Sequence, residues 1–216
     1  MTRTLVLDLD GTLVDSLPDL AAGCNRFMAK LGLASFAAAE IRPMIGDGAA
    51  ALLRRAMAAR DRTAGPADID AFLTDYAAHA ADNTVPYAGV PETLDRLVAA
   101  GWRLAVCTNK PGIPARAMLT TLGLIGHFAA IGAGDSYASR KPDPAHLLAT
   151  IADAGGDPRT AIMVGDHHND MLAAQGAAVP SIFAAWGYGA DEVGATADAI
   201  ATEFAALPVL ADRLLG

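Results

Sequence analysis

From residue 91 onward the chain alternates short apolar runs with longer segments of helical period, and this rhythm restricts the fold more than any other feature. Helices are expected over residues 91–100, 113–122, 144–154, 169–177 and 205–214. Between them lie candidate strands at 103–107, 129–131, 161–164 and 180–183, with a last one near 197–201. Strands alternating with helices of about 10 to 15 residues make βαβ units, and hence a parallel sheet covered on both faces.

Residues 4–9 read as a further short buried strand, stopped by Gly11. The period then changes. Leu17, Leu20, Ala21, Cys24, Phe27, Met28 and Leu31 fall at helical spacing, with Pro18 suited to a first turn and Gly32 to a C-terminal stop. Helical pieces continue through 48–60 and 66–82, and no strand is expected from 40 to 82. The expected fold class is therefore α/β: a Rossmann-like parallel-sheet core, residues 1–14 and 86–216, with an all-helical cap domain inserted at 15–85.

Composition excludes several function classes. Hydrophobic residues make up 53% of the 216 and charged residues 19%, enough for a packed core and no basis for disorder. A net charge of −8 argues against a nucleic-acid partner. The mean hydropathy of +0.30 comes largely from alanine, and no run of about 18 apolar residues marks a membrane span. Cys24 and Cys107 are far apart and match no CxxC or zinc spacing. The first ten residues hold no stretch resembling a signal peptide, so a reduced, cytoplasmic chain is expected.

Chemistry concentrates where strands should end. The first strand runs into Asp8-Leu9-Asp10-Gly11-Thr12, the second into Thr108-Asn109-Lys110, and the run 161–164 into Gly165-Asp166-His167-His168-Asn169-Asp170; Lys141-Pro142 precedes the helix at 144. In an open parallel sheet these segments converge on one rim. Strand period sends Asp8 and Asp10 to one side and Leu9 to the other. Two carboxylates on a buried strand resist joint ionisation, and a hard divalent cation relieves that cost. Asp166 and Asp170 supply further oxygen ligands, and Mg²⁺ suits a site with few carboxylates and a bound phosphate. Backbone N–H groups of Gly11 and Thr12 stand where they could meet that phosphate.

With these residues in view, the chain resembles the haloacid dehalogenase superfamily of phosphotransferases, whose four motifs appear in order at Asp8–Thr12, Thr108, Lys141-Pro142, and Gly165-Asp166 with Asp170. The segments 8–22 (DLDGTLVDSLPDLAA), 45–48 and 87–111, ending TNKP, are similar to bacterial phosphoglycolate phosphatases. The resemblance implies that Asp8 attacks phosphorus and binds Mg²⁺. It implies that Asp10 protonates the leaving alkoxide, then activates water, while its main-chain carbonyl reaches the metal. Thr108 and Asn109 would hold the phosphoryl group, Lys141 would neutralise charge on it, Asp166 would bind the metal, and Asp170 would support Asp166 or Lys141. The implied reaction is hydrolysis of 2-phosphoglycolate. A sugar phosphate, pyrophosphate or nucleotide as substrate, or a phosphomutase reaction, stands as the alternative. The expected partner is a small phosphorylated metabolite, with no nucleic acid or membrane, acting on a monomer or homodimer.

Other features are weighed on their own residues. His167-His168 is expected to decorate a loop or hydrogen-bond a neighbour, because adjacent residues rarely ligate one ion. Lys110, at a helix start, is expected to be solvated, as are Arg54 and Arg55. Trp186-Gly187-Tyr188-Gly189 follows a strand and reads either as a loop beside the site or as a glycine-rich turn without function. The resemblance implies that the loop Gly46-Asp47-Gly48 faces the site, and Arg42 just before it is expected to bind a substrate carboxylate. Cys107 is expected to be a small core residue.

Overall fold

The structure is a computed structural model and describes residues 2–216. β1 (Thr4–Leu7) leads through a tight loop to β2 (Val14–Asp15), and the chain then leaves the sheet as α1 (Leu17–Lys30), α2 (Ala38–Ile41), α3 (Ala49–Ala58) and α4 (Pro66–His79). It returns at β3 (Val85–Pro86), antiparallel to β2, with Val14 opposite Pro86 and Asp15 opposite Val85. The alternating part follows as α5 (Val90–Ala99), β4 (Arg103–Cys107), α6 (Gly112–Thr121), β5 (Phe128–Gly132), α7 (Pro144–Asp153) and β6 (Ala161–Gly165). The last elements are α8 (His168–Ala177), β7 (Ser181–Ala184), α9 (Asp191–Gly194), β8 (Ala199–Ala201) and α10 (Leu207–Leu215).

Six strands form one sheet in the order β5-β4-β1-β6-β7-β8, and every neighbouring pair is parallel. Side-chain alternation shows why both faces must be covered. Leu5 and Leu7 of β1, Leu104 and Val106 of β4, and Ile162 and Val164 of β6 enter one apolar cluster. Val6, Ala105, Cys107, Ala161 and Met163, the residues between and beside them, enter the other. Helices seal each face, α7 and α8 contributing Leu147, Ile151, Ala173 and Ala174 to the second cluster. The α/β core with an inserted helical cap is thus the observed architecture.

The cap shares the first cluster. Leu20, Phe27, Leu52, Leu53, Phe72 and Tyr76 are buried in it together with the sheet residues. Phe72 meets Phe27 edge-on at 6.0 Å and stacks on Tyr76 at 6.1 Å, an aromatic row that fixes where Tyr76 stands. Asp19, in the first turn of α1, closes the insertion: its carboxylate accepts from the main-chain nitrogens of Asn83 (3.0 Å) and Thr84 (2.9 Å), and from Thr84 Oγ1 (2.7 Å).

Three details depart from the sequence reading. β1 stops at Leu7 rather than at residue 9, because Leu9 turns back to accept from Leu13 and Val14 instead of pairing along the sheet. β2 and β3, two residues each, carry no periodic signal. The four-residue helices α2 and α9 are likewise too short to announce themselves.

Candidate active site

Strand order reverses about β1: β4 lies on one side, β6 on the other, and a crevice opens beyond their carboxyl ends. Asp8 follows β1, with its nitrogen donating to Val164 O at 2.9 Å. Thr108 follows β4, Asp166 follows β6, and Lys141 arrives on the segment before α7. Asp8, Asp10, Thr108, Asn109 and Asp166 line one cleft, roofed by Ile45, Gly46, Leu52 and Tyr76 from the cap. Asp8 and Asp10 therefore do share a side, although the strand ends before them, while Leu9 is buried.

Lys141 organises the acids. Its Nζ lies 3.0 Å from Asp8 Oδ1 and 2.5 Å from Asp170 Oδ1, and donates to Cys107 O at 2.5 Å. Burial pulls the lysine toward its neutral form, but Asp170 and Asp8 outweigh burial and hold it well above the ordinary lysine range. The site thus favours the ammonium form. Asp170 is placed by a second bond, its Oδ2 accepting from His167 N at 3.0 Å. His167 caps α8, with Nδ1 accepting from Asn169 N at 3.4 Å, so this histidine has a structural partner of the kind expected.

Asp166 accepts from Thr12 Oγ1 at 2.8 Å and from Tyr188 N at 2.7 Å. Burial, with the charges of Asp8 and Asp170, nevertheless pushes its carboxyl up to about 7. Burial likewise pushes Asp8 up to about 6 despite Lys141. Carboxylate oxygens of Asp8, Asp166 and Asp170 lie within 4.8 Å of one another, all buried. Three carboxylates against one ammonium leave two negative charges uncompensated. An all-oxygen donor set with that imbalance fits a hard divalent cation.

The cap loop seats directly on this rim. Gly46 O accepts from Asn109 Nδ2 at 3.0 Å, and Asp47 Oδ1 accepts from Asn169 Nδ2 at 2.7 Å. Gly46 has φ +120°, and any Cβ there would overlap the His167 ring, so this contact demands glycine.

Two expectations are corrected. Lys110 is 3% exposed, not solvated. Its Nζ lies 3.0 Å from Asp10 Oδ1 and hydrogen-bonds the Tyr76 hydroxyl, 34 residues away in the chain. Arg55 is exposed, as expected, and there pairs with Asp47 and donates to Met44 O at 2.8 Å. The Trp186–Gly189 turn is a structural clamp. Trp186 Nε1 donates to Thr12 O at 3.0 Å, and a Cβ at Gly187 would overlap Asp166. Arg42 donates to the carbonyls of Gly187 and Tyr188 on this turn; the cleft is lined without it. Only Gly187 and Gly189, beside aromatic residues, hinted in sequence at so close an approach.

Comparison with known proteins decides the family. A profile described as haloacid dehalogenase-like hydrolase matches residues 5–184. This chain belongs to that family. Among relatives of this haloacid dehalogenase-like hydrolase, a phosphoglycolate phosphatase of Agrobacterium fabrum is 46% identical over 216 residues, covering 97% of this chain and 93% of that protein. A crystal structure of a predicted phosphoglycolate phosphatase from Haemophilus somnus superposes with a TM-score of 0.88 at 30% identity, covering 97% of each chain. CbbY from Rhodobacter sphaeroides, solved in complex with phosphate, superposes at 0.79 with 26% identity and 96% of each chain covered. No helix among the described residues of this haloacid dehalogenase-like hydrolase is long and apolar enough to cross a membrane.

Proposed function

We propose that this chain hydrolyses a small phosphate monoester, 2-phosphoglycolate being the leading substrate, by transferring the phosphoryl group to Asp8. The observation that carries the reading is the buried Asp8–Lys141–Asp170 line at the mouth of β1, at 3.0 and 2.5 Å. A carboxylate attacking a phosphate ester meets like charge, and catalysis depends on fixed positive charge where the negative charge gathers. Lys141 stands there, held by Asp170 and Cys107 O so that no reorganisation is needed during reaction.

Asp8 attacks phosphorus in line, and the ester oxygen leaves with a proton from Asp10, which lines the same cleft. Asp10 then takes a proton from water, which attacks the acyl phosphate and frees Asp8. Thr108 holds the transferring oxygens with the main-chain N–H of Asn109, whose side-chain amide is spent on Gly46 O and Lys141 O. Asp8, Asp166 and the main-chain carbonyl of Asp10, supported by Asp170, would hold a Mg²⁺ ion, which when bound would supply further positive charge toward the phosphoryl oxygens. Residues 15–85 act as a cap domain on a core of 1–14 and 86–216, pivoting at the β2–β3 pair. The cleft lies between Ile45, Leu52 and Tyr76 of the cap and Asp8, Asp10 and Asp166 of the core, so cap movement governs substrate entry.

Supporting the substrate are the relatives named phosphoglycolate phosphatase at up to 46% identity over nearly the whole chain. The test is phosphate release from a panel of esters, including 2-phosphoglycolate, sugar phosphates, pyrophosphate and nucleotides, with and without chelator. Asp8→Asn should lower kcat/KM by at least about 10³-fold. Activity that survives in this variant ends the covalent mechanism.

A further inference from the structure

Lys110, the neighbour of Asp10, and Tyr76 form a donor pair inside the cleft whose part in holding a substrate the reaction at Asp8 leaves open. Lys110 is buried on the core side and Tyr76 on the cap side, and both line the cavity that holds Asp10. The ammonium donates to the Tyr76 oxygen, so the phenolic proton must point elsewhere. Among the described residues the Tyr76 hydroxyl accepts from Lys110 and donates no hydrogen bond of its own. A fully buried hydroxyl donor without an acceptor is costly, and its cleft position tells where an acceptor belongs. The rest of the cap wall is apolar, formed by Leu20, Ile45, Ala49 and Leu52.

The cations divide by position. Lys141 is committed to Asp8 and Asp170. Arg55 is paired with Asp47, and Arg42 lies on the carbonyls of Gly187 and Tyr188. Lys110 is the cation that lines the cleft. Its other partner, Asp10, holds it at 3.0 and 3.2 Å through both carboxylate oxygens.

We infer that the Lys110 ammonium and the Tyr76 hydroxyl together bind a carboxylate carried by the substrate, selecting esters of short hydroxy acids. The inference rests on the phosphatase reading and adds which residues choose the substrate. One donor comes from each side of the cleft, so the carboxylate is gripped only with the cap closed. An ester lacking the anion leaves Lys110 with Asp10 alone and the Tyr76 proton without an acceptor against an apolar wall, and the site disfavours it. Tyr76 is rigid enough for this task because it stacks on Phe72.

The experiment compares kcat/KM for 2-phosphoglycolate with that for ethyl phosphate, which has the same two carbons and no carboxylate. In the wild type a high ratio is expected; a ratio near one sinks the hydroxy-acid substrate itself, apart from any claim about Lys110. In Lys110→Met both values fall, because Asp10 loses its neighbour, but the ratio falls a further 30-fold or so. An unchanged ratio overturns the inference. Should Lys110→Met fail to fold, Tyr76→Phe decides, since it keeps the ring stack and removes only the hydroxyl. There the ratio drops about 5-fold if the inference holds and stays constant if it does not. A collapse of the ratio in Arg42→Ala with Lys110→Met unaffected assigns the carboxylate to Arg42 instead.

Discussion

The main-chain nitrogen of Tyr188 donates to Oδ2 of Asp166 at 2.7 Å. The same residue's hydroxyl donates to Asp15 Oδ1 at 2.9 Å and accepts from the nitrogens of Ser16 at 2.6 Å and Leu17 at 2.9 Å. One residue therefore ties a buried acid of the site to the segment where the chain leaves the core for the cap. The hydroxyl also satisfies donors at the start of α1 that have no partner within the helix.

Tyr188→Phe separates these two tasks, since the main-chain bond to Asp166 survives. Ser16 N loses its partner, while Leu17 N and Asp15 keep their 3.2 Å bond to each other, at a cost of about 1–3 kcal/mol. Thermal denaturation should show a Tm lowered by about 2–10 °C. An unaltered Tm would show that water replaces the hydroxyl without loss.

Gly187→Ala probes the other task. The added methyl must displace Asp166, and disturbing the support of a metal-binding carboxylate weakens the metal by about 10–100-fold. Calorimetric titration with Mg²⁺ measures it directly. Wild-type affinity in this variant would remove Asp166 from the metal site.

Stability should depend on pH in a direction set by two acids. Burial raises Asp8 from 3.8 to about 6 and Asp166 to about 7, so the fold prefers both protonated. Below the unfolded value near 3.8 this preference costs nothing; as pH climbs through 6 and 7, stability is lost. With chelator present, Tm should therefore decline between pH 5 and pH 8. Added Mg²⁺ should raise Tm more at pH 8 than at pH 5, because it binds the ionised pair. A gain from Mg²⁺ that is equal at both values would refute this account, and Asp166→Asn should abolish the gain while raising the chelated Tm.

Asp19 gives the opposite sign. Burial alone would raise it, but hydrogen bonds from Thr84 and Asn83 outweigh burial and hold it below the usual carboxylate range. Its contribution is present above the unfolded value and disappears as pH falls through the folded one. Asp19→Asn should be destabilised by at least about 2 kcal/mol in urea at pH 7. The gap from wild type should narrow at pH 3. A constant gap would mean that packing, not charge, holds the two ends of the insertion.

Much of this molecule was legible before folding was considered. The periods of 2 and 3.6 marked the strands and long helices, and acids following apolar runs marked the rim, because backbone geometry repeats locally whatever surrounds it. The order Asp8, Thr108, Lys141, Asp166 needed only the rule that parallel strands bring their carboxyl ends together. Contacts between distant segments were not legible. Whether Lys110 meets water or Asp10 depends on Tyr76 arriving from a helix 34 residues earlier. Whether Trp186–Gly189 is an idle turn or a clamp depends on Asp166 and Asp15, 22 and 173 residues from Tyr188. Even Arg42 is diverted to main-chain oxygens of that turn by the way the cap lands on the core. Period and motif order, being local properties of the chain, were set by the amino acids in their immediate surroundings. Which charges are buried, and against what, was decided only when the cap closed on the sheet, because burial belongs to surfaces that meet and not to any one segment.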